Sequence, residues 1–225
     1  MADKDQSVFL KLILKIFFFF LFIQILGVPQ FEAFAPYFPN FMQQYELPLL
    51  VGEVTLSVFL LHFLYSRYRN QLRIANPNHF GKEKLAGNKI LFTVGMFVVM
   101  NIVAIVFSSF LSLDTPDNQE AINQATALVP MLAVFNTVVF GPLAEEIIFR
   151  GIFFNYFFNQ NRRNSHILAI IVSGTVFGLM HEASFSLAFF YYASLGWILA
   201  GTYLYTKDLR YSMAIHLLFN LLGSL

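Results

Sequence analysis

The sequence predicts an all-α, polytopic membrane bundle of about seven to eight helices. Hydrophobic residues make up 57% of its 225 residues and charged residues only 12%. The apolar residues are gathered into stretches close to the length of a bilayer crossing. Lys and Arg are confined to particular connecting segments. A soluble domain of this size could not solvate such a composition.

The apolar stretches fall at 8–28, 47–65, 89–112, 125–158, 166–181, 186–205 and 211–225. A crossing needs about 20 residues, so the last stretches are expected to be tilted or partly crossing. The first run is too long for a signal-peptide core and no small-x-small site follows it. It is expected to stay as the first span. Lys4, Lys11 and Lys15 lie at or near the N-terminus, and Arg67, Arg69, Arg73, Lys82, Lys84 and Lys89 fill the second loop. Arg162 and Arg163, and then Lys207 and Arg210, mark two later turns. The loops at 29–46, 113–124 and 182–186 carry no Lys or Arg. Seven crossings with a cytoplasmic N-terminus put every basic cluster in the cytoplasm of a multi-pass cell-membrane protein and leave only Arg150 in the membrane. The 125–158 stretch is too long for one simple span. It is expected to hold a partly embedded segment, then a crossing that restarts at Gly141-Pro142. Residues 1–124 then form N-terminal helices and 125–225 the core that carries the chemistry, in one integrated membrane domain.

Net charge near zero excludes a nucleic-acid footprint. The absence of cysteine excludes disulfides, thiolate metal sites and a cysteine nucleophile. The expected partners are the lipid bilayer and a membrane-associated peptide or protein substrate; nothing in the sequence fixes an oligomeric state.

An ionisable residue deep in a span costs at least about 2.5–3.5 kcal/mol, so such residues usually face a partner or a cavity. They are Glu145, Glu146, Arg150, His181, Glu182, His216 and Asn220, with Glu53 and His62 as isolated additions. In GPLAEEIIFR, Glu146 and Arg150 are one helical turn apart and neutralise each other. Glu145 points about 100° away and is left without a local partner. A spare carboxylate in a dry cavity is a candidate general base. The restart at Pro142 would also set Glu145 near a helix N-terminus. Phe177 and His181 share one face, as do His216 and Asn220. Hydrolysis would use all of them. Glu145 and His181 hold and deprotonate a water. His216 and Asn220 offer N–H donors to an oxyanion. Glu146 and Arg150 fix the helix that carries Glu145. The bland reading keeps the charges as ion pairs that lock helices, and each histidine as an interhelical hydrogen bond.

Glu145-Glu146-Ile-Ile-Phe-Arg150, Phe177-Gly-Leu-Met-His181 and His216-Leu-Leu-Phe-Asn220 follow one another as EExxxR, FxxxH and HxxxN. That order resembles the CPBP intramembrane proteases, also called the Abi family, which are relatives of the type II CAAX prenyl endopeptidases. The resemblance covers about residues 125–225. It implies a glutamate-dependent endopeptidase in which Glu145 and His181 activate water and His216 and Asn220 stabilise the oxyanion. It also implies peptide processing or bacteriocin self-immunity in bacterial members. One feature sits awkwardly: counted from the cytoplasmic loops at about 1.5 Å per residue, His216 is shallower than Glu145 and His181.

Other protease types lack their residues. There is no HExxH, no Asp in any span and no Gly-x-Ser-Gly. No cofactor is expected. A zinc ion held by Glu145, His181 and His216 is the alternative, since catalytic zinc takes three protein ligands. The non-enzyme alternative is a membrane bacteriocin-immunity or binding protein with the same fold. A small transporter would spread its polar residues over more spans than this chain does.

Overall fold

The computed structural model describes residues 2–81, 84–111 and 117–224, and among them there are helices and turns but no strand. In chain order the helices are α1 (Ala2–Gln24), the short α2 (Pro39–Gln44), α3 (Glu46–Ile74), α4 (Gly87–Leu111) and α5 (Asp117–Leu128). There follow α6 (Pro130–Phe157), α7 (Arg163–His181), α8 (Leu187–Thr206) and α9 (Leu209–Gly223). Six of them, α1, α3, α4, α6, α7 and α8, contain segments long and apolar enough to cross a membrane. The chain is a multi-pass membrane protein. The last helix, α9, has 15 residues, short for a crossing. It packs against α4, α6 and α8.

The bundle is apolar outside. On α4, Leu91, Val94, Val98, Ile102, Ile105 and Phe110 are all exposed, as a lipid-facing surface requires. The inside is mixed. The buried residues of α3 are Glu46, Glu53, Ser57, Leu64 and Tyr68, spaced 7, 4, 7 and 4 along one seam. That helix is amphipathic with its polar side inward.

The structure corrects the expected break at Gly141-Pro142. The chain breaks at Val129 instead, where φ is −140° and ψ is 72°, and Pro130 opens α6 in its first turn. Glu46 of α3 completes that start, its carboxylate accepting from the backbone N–H of Met131 at 2.7 Å. From Pro130, α6 runs unbroken through Pro142 to Phe157. It does so by widening. Phe135–Phe140 and Glu146–Ile152 are π-helical, and Gly141 donates its N–H to Asn136 O, five residues back. A proline ring normally collides with the carbonyl four residues earlier. A wider turn just before Pro142 makes room for the ring. Glycine suits position 141, because a Cβ there would stand 3.0 Å from Asn136 O, which would have to give by a few tenths of an ångström. Glu145 is therefore well inside a helix, and the dipole of a helix N-terminus does not act on it.

The pairing of α7 with α8 is the most extensive in the bundle. It rests on small residues: Gly174 and Gly178 of α7 meet Gly196 and Ala193 of α8. A Cβ on Gly174 would lie 2.0 Å from Trp197 Cδ1 and 2.7 Å from Trp197 N, and backbone cannot step aside. Gly174→Ala should therefore lower stability by at least about 1–3 kcal/mol. Gly201→Ala on α8, where a Cβ meets nothing within 4 Å, is the neutral control. Thermal unfolding in detergent compares the two.

The basic loops gather at one end of the bundle. There the segment after α3 folds inward. Phe80 stacks on Tyr203 at 4.5 Å, and Gly81 donates its N–H to Lys207 O at 2.9 Å. Asn78 donates to Phe158 O at 3.3 Å and accepts from His166 Nε2 at 2.9 Å. The α8–α9 turn beneath is buried: Thr206 and Asp208 are 0% and 2% exposed. The opposite end carries the turns at 25–45 and α5, with exposed Phe34, Tyr37, Phe38 and Phe41 where an interfacial aromatic belt belongs.

Candidate active site

Three helices bring the motif residues together. Glu145, Glu146 and Arg150 are on α6, Phe177 and His181 on α7, and His216 and Asn220 on α9. Glu146 and Arg150 are both fully buried and touch at 3.0 Å. Arg150 also donates to Gly196 O at 3.0 Å, and its guanidinium lies over the Phe177 ring at 4.8 Å. The cation is thus held by an anion, a carbonyl and a π face, which together offset the cost of burying it.

His216 links the two glutamates. Its Nδ1 lies 3.1 Å from Glu146 Oε1 and its Nε2 3.7 Å from Glu145 Oε2. A carboxylate held by a guanidinium accepts only, so the Nδ1 proton belongs to histidine and donates to Glu146. That bond fixes the ring and aims Nε2 at Glu145. Glu145 is therefore not left over, as counting turns suggested: its partner comes from another helix.

The depth mismatch disappears for a structural reason. Counting from the α8–α9 turn assumed that the turn lies at the membrane surface. The turn is instead covered by Phe80 and Gly81, and His216 stands level with the glutamates, its Nε2 3.7 Å from Glu145 Oε2.

His181 ends α7. Its Nδ1 donates to Phe177 O at 2.9 Å, and its ring is sandwiched between Phe177 at 4.4 Å and Tyr192 at 4.8 Å. Since a carbonyl only accepts, the neutral ring keeps its lone pair on Nε2. Phe177 also meets His216 edge-on at 5.9 Å, so one phenyl ring spaces both imidazoles. Asn220 donates to Thr137 O at 2.8 Å with one amide hydrogen and keeps the second. Thr137 lies in the first wide turn of α6, where carbonyls are displaced from regular bonding. Glu182 stands apart. It lies in the turn after α7, where Ser184 donates to it from both Oγ and N, holding its carboxyl below the usual range.

Among the described residues no group of three or more His, Cys, Asp or Glu side chains converges as a metal site. Glu145 and His216 approach each other, while the placed nitrogen contact of His181 is to its own helix.

Residues 127–222 match the model of the family described as type II CAAX prenyl endopeptidase Rce1-like. That match spans less than half of the chain. The matched region contains every residue of the three motifs, and the family is described as one of endopeptidases. Among curated proteins the chain is similar to the membrane-embedded CAAX protease MroQ of Staphylococcus aureus, at 28% identity over 159 residues, covering 66% of this chain and 63% of that protein. It is similar to the putative membrane peptidase YdiL of Bacillus subtilis at 30% identity, covering 46% of this chain and 40% of YdiL. It is also similar to the UPF0177 protein YvdC of Lactococcus lactis at 23% identity, covering 60% of this chain and 51% of YvdC. The chain spans less than two thirds of the length of each of these relatives. No solved structure matches it.

Sequence reasoning missed three contributors. Gly196 supplies the carbonyl that holds Arg150, Tyr192 covers His181, and Thr137 receives Asn220. None belongs to a motif, and each is set by helix packing.

Proposed function

We propose that the chain is an intramembrane, glutamate-dependent endopeptidase that hydrolyses a peptide bond of a membrane-associated peptide or protein. The observation that carries this reading is the convergence of Glu145, Glu146 and His216 within one buried cluster inside an Rce1-like region. Glu145 takes a proton from water, which His181 orients through its free Nε2. The water oxygen bonds to the scissile carbonyl carbon, and the carbonyl oxygen becomes the oxyanion. Asn220 donates its second amide hydrogen to that oxygen. His216 donates from Nε2 when both of its nitrogens are protonated. The C–N bond then breaks and the amine leaves with the proton collected by Glu145. Arg150 and Glu146 touch no reacting atom; they position His216.

The chemistry so described uses no metal. An excess of chelator should leave the rate unchanged; loss of activity restored by zinc would replace this reading with a metal-dependent one. The basic end is the cytoplasmic one, which places the N-terminus inside. Peptide processing and self-immunity to a bacteriocin are the roles such an activity would serve. The test compares membrane peptides of cells with and without the protein. New peptide ends found only with the protein support the protease; identical peptide sets support a non-catalytic binding or immunity protein.

A further inference from the structure

Glu53 has no place in the site just described, yet it is 0% exposed and neither carboxylate oxygen has a protein partner. It stands on the inner seam of α3, one turn before Ser57, which is 1% exposed with an unpartnered hydroxyl. The turn at Phe31–Phe34 lies against the same part of α3: a Cβ on Gly52 would meet Phe31 at 3.7 Å. Glu32 is in that turn, close enough for its charge to act on Glu53, and the Asn136 amide of α6 approaches it. Burial pushes the Glu32 carboxyl up to about 7. Glu32 Oε2 and Asn136 Nδ2 are also buried.

Three polar atoms of Glu53 and Ser57 thus have no protein partner, and Glu32 Oε2 and Asn136 Nδ2 beside them have none but each other's side chains. Left dry, each would cost about 1–3 kcal/mol, and together they would rival the whole stability of a typical fold. Buried polar groups in native proteins are satisfied by protein or by water. The cluster also leads somewhere. A Cβ at Gly141 would stand 3.8 Å from Asn136 Oδ1 and 3.8 Å from Glu145 Oε1, so both face the space that the missing side chain leaves.

We propose that Glu32, Glu53, Ser57 and Asn136 line a hydrated track that enters at the turn after α1 and delivers water to Glu145. The track joins the end of the bundle opposite the basic loops to the middle of α6. Hydrolysis consumes one water per bond cut, and lipid surrounds the site, so a polar route is a chemical need. The purpose of the track rests on Glu145 being the base; its existence does not.

The natural chain has no cysteine, so single-cysteine variants report water directly. Ser57→Cys is nearly isosteric. Its matched control is Ser173→Cys, also 0% exposed, where the native hydroxyl is satisfied by Phe149 O at 3.0 Å. Ser184→Cys is the exposed control. Folded, full-length variants in liposomes are treated with a small, water-soluble, charged methanethiosulfonate, which needs a hydrated thiolate. Ser57→Cys should react within about tenfold of Ser184→Cys and at least about a hundredfold faster than Ser173→Cys. Adding Glu53→Leu should slow Ser57→Cys by about tenfold or more. A Ser57→Cys protein that is folded but reacts as slowly as Ser173→Cys overturns the track. Because labelling needs no substrate, that failure leaves the protease reading intact, and an active Glu145→Gln protein would leave the track intact.

Discussion

Glu145→Gln protein should fold, pack and unfold like the parent and yet cleave nothing. The change removes one ionisable oxygen and keeps the shape. The general base contributes about 10²–10⁴ in rate, so the turnover rate of any peptide found to be a substrate should fall by at least about a hundredfold. The neighbours explain why stability should hold. Glu145 bonds no backbone, its contact with His216 Nε2 is 3.7 Å, and His216 stays fixed by Glu146 through Nδ1. The measurement is a pair: thermal unfolding in detergent and initial rates at equal folded protein. Activity within about threefold of the parent, with the fold intact, would remove Glu145 from the chemistry and with it the mechanism.

Arg150→Ala should have the opposite profile. It leaves Glu146 as a buried anion without its guanidinium, empties the space over Phe177 and frees Gly196 O. Breaking one side of a buried pair costs about 3–5 kcal/mol. In a chain of this length that shifts the midpoint on the order of 10 °C. Glu146→Gln should cost a comparable amount, because Arg150 then loses its counter-charge and His216 its anchor. Replacing both by methionine should recover part of the stability, since no charge is left unpaired, but no activity, since His216 is no longer aimed. Equal stability of Arg150→Ala and parent would mean that the pair does not hold the cluster. The two predictions separate chemistry from support within one ten-residue stretch: loss of rate alone would assign Glu145 to the chemistry, and loss of stability would assign Glu146 and Arg150 to support.

Much of the fold was legible because the bilayer is a strict solvent. It demands long apolar helices and admits no strand outside a closed barrel, so composition and segment length were enough to anticipate the architecture. The segregation of Lys and Arg separated the two ends, and the same end gathers them in the folded chain. The Glu146–Arg150 contact was legible too, because it lies within one helix turn. The path of α6 was not. Gly141-Pro142 reads as a break, and whether a proline breaks a helix depends on whether the previous turn can widen. That widening is set by Asn136, by the bare Gly141 and by the helices packed around them.

Glu53 shows the limit most clearly. In the sequence it is an isolated charge in an apolar span. In the folded chain it lies within reach of the charge of Glu32, 21 positions earlier, which the Asn136 amide approaches from α6. His216 is similar: the spacing to Asn220 pointed to one helix face, but not that the ring would bridge two glutamates 70 and 71 positions away. By itself the sequence determined the solvent, the helical class, the ends and the short-range pairs, because hydrophobic length and helical periodicity are local properties. The tertiary structure alone decided which turn is covered, where α6 widens and which histidine meets Glu145. Those depend on a loop folding over a turn and on glycines letting helices close, and both are contacts between residues far apart in the chain.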